Sequence, residues 1–159
     1  MSVAKLLQRC ELFADLTPEQ LECIVALGQE VAYDAGDVII HEADPSDEMY
    51  IIGNGMVEVE ISKDTIHDVP GAPQLSSIVR LGQGQVFGEM ALVDHGRRSA
   101  TVRCVEKHTV LYVIPRQDFL DLCNSNHHIG YIVMRNIAAD LSFKLRHRNI
   151  QAGLSGGQT

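Results

Sequence analysis

Apolar and polar residues alternate strictly along Val57-Glu58-Val59-Glu60-Ile61-Ser62. A period of two is typical of a β-strand that has one buried face and one solvated face. The chain between Tyr33 and Pro115 consists mostly of short apolar runs separated by turn residues, without a regular alternation of strands and helices. This pattern predicts a mainly β fold with flanking helices, an antiparallel β jelly roll of about eight strands.

A tight turn is expected directly before this strand, where Gly53-Asn54-Gly55 separates Tyr50-Ile51-Ile52 from Met56-Val57. Asparagine and glycine tolerate the positive φ angles that a tight hairpin turn requires. The sequence therefore predicts a β-hairpin whose two strands pair with each other on either side of residues 53–55.

Helices are predicted on both sides of the β region. Thr17-Pro18-Glu19-Gln20 supplies an N-cap, a proline at the first helical position and a capping-box glutamine, so a helix should run from there to about Gln29. Another helical segment runs from Pro115 through Leu122, and a longer helix follows Asn126. The longer helix carries an apolar stripe with spacings of three and four, which favours core packing; its members are Met134, Ile137, Leu141 and Leu145.

The length of 159 residues fits one ordinary domain. We expect a single domain over residues 1–150, with a helical lead-in at 1–30, the jelly roll at 31–114 and C-terminal helices at 115–150. Residues 64–74 contain two prolines and a glycine and are expected to form a loop. The glycine-rich tail, residues 151–159, is expected to be disordered.

The composition excludes several classes of protein. A formal net charge of −8 argues against direct nucleic-acid binding, which depends on basic side chains that displace counterions from phosphates. The apolar stretches are far shorter than the roughly 18 to 20 residues that cross a bilayer, and no signal peptide begins at Met1, so we expect a cytoplasmic protein.

Four scattered cysteines form no CxxC pair and are expected to be buried free thiols; they are Cys10, Cys23, Cys104 and Cys123.

One segment departs from ordinary strand sequence, because Phe87-Gly88-Glu89-Met90-Ala91-Leu92 combines a glycine with residues that can form one helical turn. Gly88 permits close approach of the backbone, and the free N–H groups of the turn offer an anion site. Arg98 follows at the start of the next strand, where a guanidinium can bind two phosphate oxygens. The Glu89 carboxylate suits a sugar hydroxyl and not a phosphate. These groups favour a ribose-phosphate ligand, and a structural ion pair between Glu89 and Arg98 is the alternative.

The segment from Phe87 to Val102, termed the cassette below, resembles the phosphate-binding cassette of the cyclic-nucleotide-binding domain family, which includes the catabolite activator protein and protein kinase A regulatory subunits. Three further stretches resemble strand signatures of that family: Ala35-Gly36-Asp37-Val38-Ile39-Ile40, Asp47-Glu48-Met49-Tyr50-Ile51-Ile52 and Gly55-Met56-Val57-Glu58-Val59. The N-terminal helical lead-in of the family resembles Leu12-Phe13-Ala14-Asp15-Leu16. The resemblance covers about Leu6 to Arg148. Two positions depart from it, since Ala43 stands where glycine is common and Arg97 where proline is usual.

The resemblance implies a role for each binding residue of the cassette. Glu89 would accept a hydrogen bond from the ribose 2′-hydroxyl, and the backbone of Gly88 would lie close to that sugar. Arg98 would pair with the cyclic phosphate. The main-chain N–H groups of Ala91 and Ser99 would donate to the same phosphate, and the Ser99 hydroxyl is a further candidate donor.

The resemblance also implies a site for the base, which would pack on Ile78 and Leu81 and be covered by the last helix near Asp140 and Lys144. Asp140 suits guanine N1 and N2, whereas Lys144 suits the acceptors of either purine. We expect cAMP as the ligand, with cGMP as the alternative, because cAMP is the commoner ligand of relatives with an Arg-Ser-Ala sequence.

These observations predict a sensor that binds a cyclic purine mononucleotide and performs no chemistry on it, so no catalytic residue, catalytic cofactor or metal ion is expected. Binding would let the last helix close over the base and reposition it for a protein partner or a second copy of the chain. One alternative is a structural interaction subunit of the same fold that no longer responds to nucleotide. Another is a metal-dependent jelly-roll enzyme, but the HxH pair typical of such enzymes does not occur.

Overall fold

The computed structural model describes residues 2–45, 47–61, 77–94, 96, 98 and 100–156. Within these residues the chain forms eight strands: β1 (Gln29–Tyr33), β2 (Val38–Ile40), β3 (Glu48–Asn54), β4 (Val57–Ile61), β5 (Ser77–Leu81), β6 (Val86–Phe87), β7 (Ala100–Cys104) and β8 (Thr109–Pro115). One antiparallel sheet has the order β1-β8-β3-β6, and the other has the order β2-β7-β4-β5. The predicted antiparallel jelly roll is confirmed. The predicted loop at 64–74 lies outside the described residues.

The predicted hairpin around residues 53–55 is wrong. β3 pairs with β6 and β8 in one sheet, and β4 pairs with β5 and β7 in the other. The chain therefore crosses between the sheets at this turn. Gly55 makes the crossing possible, because its φ is +89° and a Cβ at this position would lie within 3 Å of the Thr109 backbone.

The sheets share one core, and the helices form another with the first sheet. Side chains of a strand point alternately to opposite faces, so β3 is buried on both sides. Tyr50 and Ile52 face the second sheet and pack with Val57, whereas Met49 and Ile51 face the helices. This double burial explains why β3 is apolar throughout its centre, where β4 alternates.

Four α-helices flank the sheets: α1 (Val3–Gln8), α2 (Pro18–Val25), α3 (Arg116–Ser125) and α4 (His127–Gly156), with a 3₁₀ segment at Glu11–Phe13. The capping box of Thr17 and Gln20 is present as predicted. The helix it starts ends at Val25 and not near Gln29, because Gln29 already begins β1. In α4, a side-chain oxygen of Asn126 accepts a hydrogen bond from the Ile129 N–H at 3.2 Å, which caps the helix start.

The apolar stripe of α4 packs on the core along only part of its length. Ile137 is buried, and Met134 and Leu141 pack against the same core, but Leu145 is 59% exposed. The helix continues to Gly156 and so includes residues 151–156, which the composition assigned to the tail; residues 157–159 lie outside the described part.

All four cysteines are free thiols. Cys10, Cys104 and Cys123 are buried as expected, and burial raises the pKa of each thiol. Cys23 differs from the expectation because it is exposed on α2. Within the described residues, none of the helices has the length and apolar character that crossing a membrane requires.

Candidate functional site

The cassette joins β6 to β7 across a short 3₁₀ segment, Glu89–Leu92, which we call the cassette turn. Gly88 precedes it with φ +77° in the left-handed region. The helical turn expected from the sequence is therefore present, and Glu89 is its first residue. Arg97 and Ser99 lie outside the described residues, so the expected contribution of Ser99 to phosphate binding stays a prediction.

Arg98 is held against the start of the cassette by main-chain carbonyls. Its Nη1 donates to the Gly88 carbonyl at 3.4 Å, and its Nη2 donates to the Glu48 carbonyl at 2.5 Å. No ion pair between Arg98 and Glu89 occurs among the contacts described for these residues, so the structural alternative of a direct Glu89–Arg98 brace has no support in this geometry.

The backbone of Arg98 is fixed by the turn that follows β2. The Arg98 N–H donates to the Asp44 carbonyl at 2.8 Å, and the Ala43 N–H donates to the Arg98 carbonyl at the same distance. Ala43 has φ +70°, a conformation that strains a residue with a side chain by roughly 1–2 kcal/mol. The strain is therefore stored in the turn that sets the position of Arg98.

A cavity of about 260 Å³ opens beside the guanidinium. It is lined by Ile39, Ile40, Asp44, Pro45, Asp47, Glu48, Tyr50 and Arg98. Tyr50 stacks on Phe87 of the same sheet with ring centroids 4.8 Å apart. This stacking fixes the orientation of the aromatic ring that lines the cavity. The cavity thus combines one cation and an aromatic surface with several acidic side chains.

Glu89 is half-buried, and its electrostatic environment links the cassette to α4. Burial raises the pKa of its carboxyl above the ordinary value, while a hydrogen bond from its own N–H and the charge of Lys144 lower it. Asp140 raises this pKa and Arg98 lowers it. Desolvation of a charged carboxylate costs stability, and groups with pKa values perturbed in this way are candidates for binding sites.

Asp140 and Lys144, the two residues expected on the lid, form an ion pair at 2.8 Å along one face of α4. The hydrogen bond to Asp140 raises the pKa of the Lys144 ammonium, burial opposes this, and the charges of Asp140 and Glu89 raise it further. Both side chains are close enough for their charges to act on Glu89. The structure therefore brings this part of α4 to the cassette side of the molecule.

The N–H group of Ala91, expected to donate to phosphate, donates instead to the Gly88 carbonyl at 3.2 Å. The bond closes the cassette turn, and Ala91 itself is buried. A phosphate that used this donor would have to share it or open the turn.

Ile78 and Leu81, the two residues expected beneath the base, lie on opposite faces of β5, because three positions separate them. Leu81 stands opposite Val57 and packs in the core between the sheets. Ile78 stands opposite Glu60 on the other face and is 56% exposed. Only Leu81 is therefore placed towards the interior.

Val79, which the sequence pattern did not single out, lies on the same face of β5 as Leu81, two positions away. It stands opposite Val59, whose side chain belongs to the inner face, and it is 46% exposed. An apolar side chain that faces inwards but is not covered suits contact with a planar base. The period of two in β4 identifies which of its residues face inwards. The antiparallel register then assigns the inward face to Val79, opposite Val59, and the outward face to Ile78, opposite Glu60.

Comparison with known proteins places the chain in a family. Residues 30–126 match the family model of the cyclic nucleotide-binding domain. The cyclic AMP receptor protein of Thermus thermophilus is 30% identical over 143 residues, which are 90% of this chain and 61% of that protein. The human cGMP-dependent protein kinase 2 is 34% identical over 113 residues, 71% of this chain and 14% of the kinase.

The fold agrees with solved structures. The catabolite activator protein of T. thermophilus superposes with a TM-score of 0.72 at 29% identity, covering 92% of this chain and 63% of that one. The chain thus spans less than two thirds of each of these relatives. The match therefore concerns one region of each relative and not the whole of it.

Proposed function

Because the chain belongs to the cyclic nucleotide-binding domain family, we propose that it is a cytoplasmic sensor that binds cAMP, with cGMP as the alternative ligand, and does not react with it. The observation that carries this proposal is the position of Arg98 at the cavity, between the Gly88 and Glu48 carbonyls and beside the turn that Glu89 begins. A guanidinium there suits the cyclic phosphate, and the half-buried carboxylate suits the ribose 2′-hydroxyl.

The bonds that hold Arg98 permit exchange with a ligand. Its bond to the Gly88 carbonyl is 3.4 Å long, beyond the usual range of N–H···O distances, and is therefore weak. A phosphate that replaces it forms a stronger, charge-assisted hydrogen bond. The Gly88 carbonyl would then keep only the Ala91 N–H as its donor, so a phosphate bound at Arg98 would have to share that N–H or open the turn. This exchange supplies the difference in affinity between two states that a population shift requires.

The charged face of the last helix would respond electrostatically to the bound ligand. Asp140 and Lys144 already act electrostatically on Glu89, and a ribose bound to Glu89 would change that environment. Next to Lys144, on either side of it in the chain, α4 exposes Phe143 and Leu145, at 67% and 59%. We propose that this end of α4 passes the signal to a protein partner or to a second copy of the chain.

Titration calorimetry of the purified chain with cAMP and with cGMP tests the proposal. Arg98→Ala should weaken the preferred nucleotide about ten- to hundredfold, because a charge-assisted contact contributes roughly 1.5–3 kcal/mol. Arg103→Ala is the matched control, since Arg103 is an exposed arginine of β7, and its affinity should equal that of the wild type.

Binding that Arg98→Ala leaves unchanged would overturn the site assignment. If neither nucleotide binds to the folded, ligand-free chain, the alternative of a structural interaction subunit takes the place of the sensor. Tighter binding of cGMP than of cAMP would correct the choice of base alone.

A further inference from the structure

The two ends of the cassette turn are held by two different arginines. At its start, the Gly88 carbonyl accepts hydrogen bonds from the Ala91 N–H and from Arg98. At its end, the Ala91 carbonyl accepts a hydrogen bond from Nε of Arg116 at 2.6 Å. Arg98 is placed to exchange its partner for a ligand, whereas Arg116 faces main chain on the side of the helices.

Arg116 connects three parts of the fold. It is the first residue of α3, its side chain binds the cassette turn, and its own N–H donates to the Asp47 carbonyl at 2.8 Å. The neighbouring carbonyl, that of Glu48, is the one that Arg98 binds. Both arginines are therefore anchored at the start of β3, Arg116 on the residue that precedes the strand and Arg98 on its first residue.

The bond from Arg116 has a clear physical reason. The last carbonyls of a short helical turn lack partners within the turn, and the charged guanidinium of a half-buried side chain supplies one. Such charge-assisted bonds are shorter and stronger than neutral ones. The contact consequently ties any movement of the cassette turn to the start of α3.

α3 in turn has little freedom to move without α4. A Cβ on Gly130 of α4 would lie 3.1 Å from the Cβ of Cys123 and 3.2 Å from its carbonyl oxygen, so the two helices are in direct backbone contact there. Phe119 and Cys123 of α3 and Ile129 and Val133 of α4 are buried in one cluster. Closely packed interiors transmit displacements because they contain little free space.

We propose that Arg116 is the positioning residue that couples the cassette to the α3–α4 pair, so that nucleotide bound at Arg98 changes the state of α4 through the Ala91 carbonyl. This inference rests on the proposed binding of a cyclic nucleotide. Arg116 makes no contact with the ligand in this scheme, and its removal separates binding from response.

The test compares Arg116→Met, which keeps the aliphatic stem and loses the donors, with Arg116→Lys, which keeps the charge and a donor. Affinity for cAMP is measured by calorimetry, and the response by hydrogen–deuterium exchange of residues 127–147 with and without saturating cAMP. The cAMP affinity of Arg116→Met should stay within about fivefold of the wild-type value. The cAMP-dependent change in α4 exchange should nevertheless fall to less than about half of the wild-type change. Arg116→Lys should restore most of that change.

Gln117→Met is the matched control, because Gln117 is the next residue of α3, is exposed and, among the described residues, bonds within that helix to Asp121. It should respond as the wild type does. If Arg116→Met does not fold, Arg116→Gln is measured by the same criterion.

If Arg116→Met shows the same cAMP-dependent change in α4 exchange as the wild type, the proposed coupling role of Arg116 is wrong. The proposal that the chain binds a nucleotide would still stand. The same holds if the wild type binds cAMP without any change in α4. Failure of the wild-type chain to bind either nucleotide removes the proposed function, and the coupling with it.

Discussion

At the scale of single residues, Gly88 meets two demands that a side chain would violate. Its φ of +77° lies in the left-handed region, and a Cβ at this position would lie 2.9 Å from Nη1 of Arg98 and 3.0 Å from the Glu48 carbonyl oxygen. The Arg98 guanidinium therefore occupies the space that the missing side chain leaves. Gly84 has the same backbone requirement, with φ +84°, but nothing lies within 4 Å of its Cβ position.

This pair of glycines allows strain and contact to be separated. Gly84→Ala should destabilise the fold by about 1 kcal/mol, the cost of the left-handed conformation, and leave cAMP affinity unchanged. Gly88→Ala should destabilise it by about 2 kcal/mol or more and weaken cAMP at least about tenfold, because Arg98 must move. Urea denaturation and calorimetry measure the two effects. Equal losses of stability with equal affinities would mean that the contact between Gly88 and Arg98 does not matter.

The proposed chemistry of the site rests on side chains that the sequence shows, whereas the construction of the site was not predictable from them. Gly88, Glu89 and Arg98 form a pattern of residue types that itself points to a ribose phosphate. The groups that position Arg98 are carbonyls of Asp44, Glu48 and Gly88. Every residue has a carbonyl, so such partners leave no trace in the sequence.

At the scale of secondary structure, the faces of β5 determine what a bound base can touch. Val79→Ala should weaken cAMP several-fold, since it removes two methyl groups from the inward face at about 0.8 kcal/mol each when fully covered. Ile78→Ala, one residue away on the outer face, should leave the affinity unchanged. Calorimetry on the two variants decides between the faces, and a loss confined to Ile78→Ala would show that the base packs on the outer side.

The error at Gly53-Asn54-Gly55 belongs to the same scale. A two-residue hairpin of the Asn-Gly type needs positive φ at both central residues, but of Asn54 and Gly55 only Gly55 has it. The local sequence permits both a hairpin and a corner. Burial decides between them: Val57 is fully buried between Leu81 and Cys104, and neither partner is near in sequence. Strand identity is thus readable from the period of two, whereas strand partners depend on distant residues.

At the scale of the whole molecule, polar contacts join the first half of α4 to the N-terminal segment. Nδ2 of Asn136 donates to the Leu12 and Ala14 carbonyls at 2.9 and 3.0 Å. Arg135 pairs with Asp15 at 2.6 Å. Beyond Ile137, residues 143–147 of the helix are exposed. A nucleotide-driven change in α4 is therefore expected in its second half, where fewer contacts resist it.

The two N-terminal contacts should differ sharply in their contribution to stability. Asn136→Ala leaves two main-chain carbonyls without their donor at a half-buried position and should cost about 1–3 kcal/mol in the free energy of unfolding. Arg135→Ala removes an ion pair whose side chains are 41% and 71% exposed, and it should cost about 0.5 kcal/mol or less because water screens such pairs. Urea denaturation gives both values. If the arginine variant were the less stable of the two, α4 would be held at the N-terminal segment by charge, and its stability would then fall steeply with added salt.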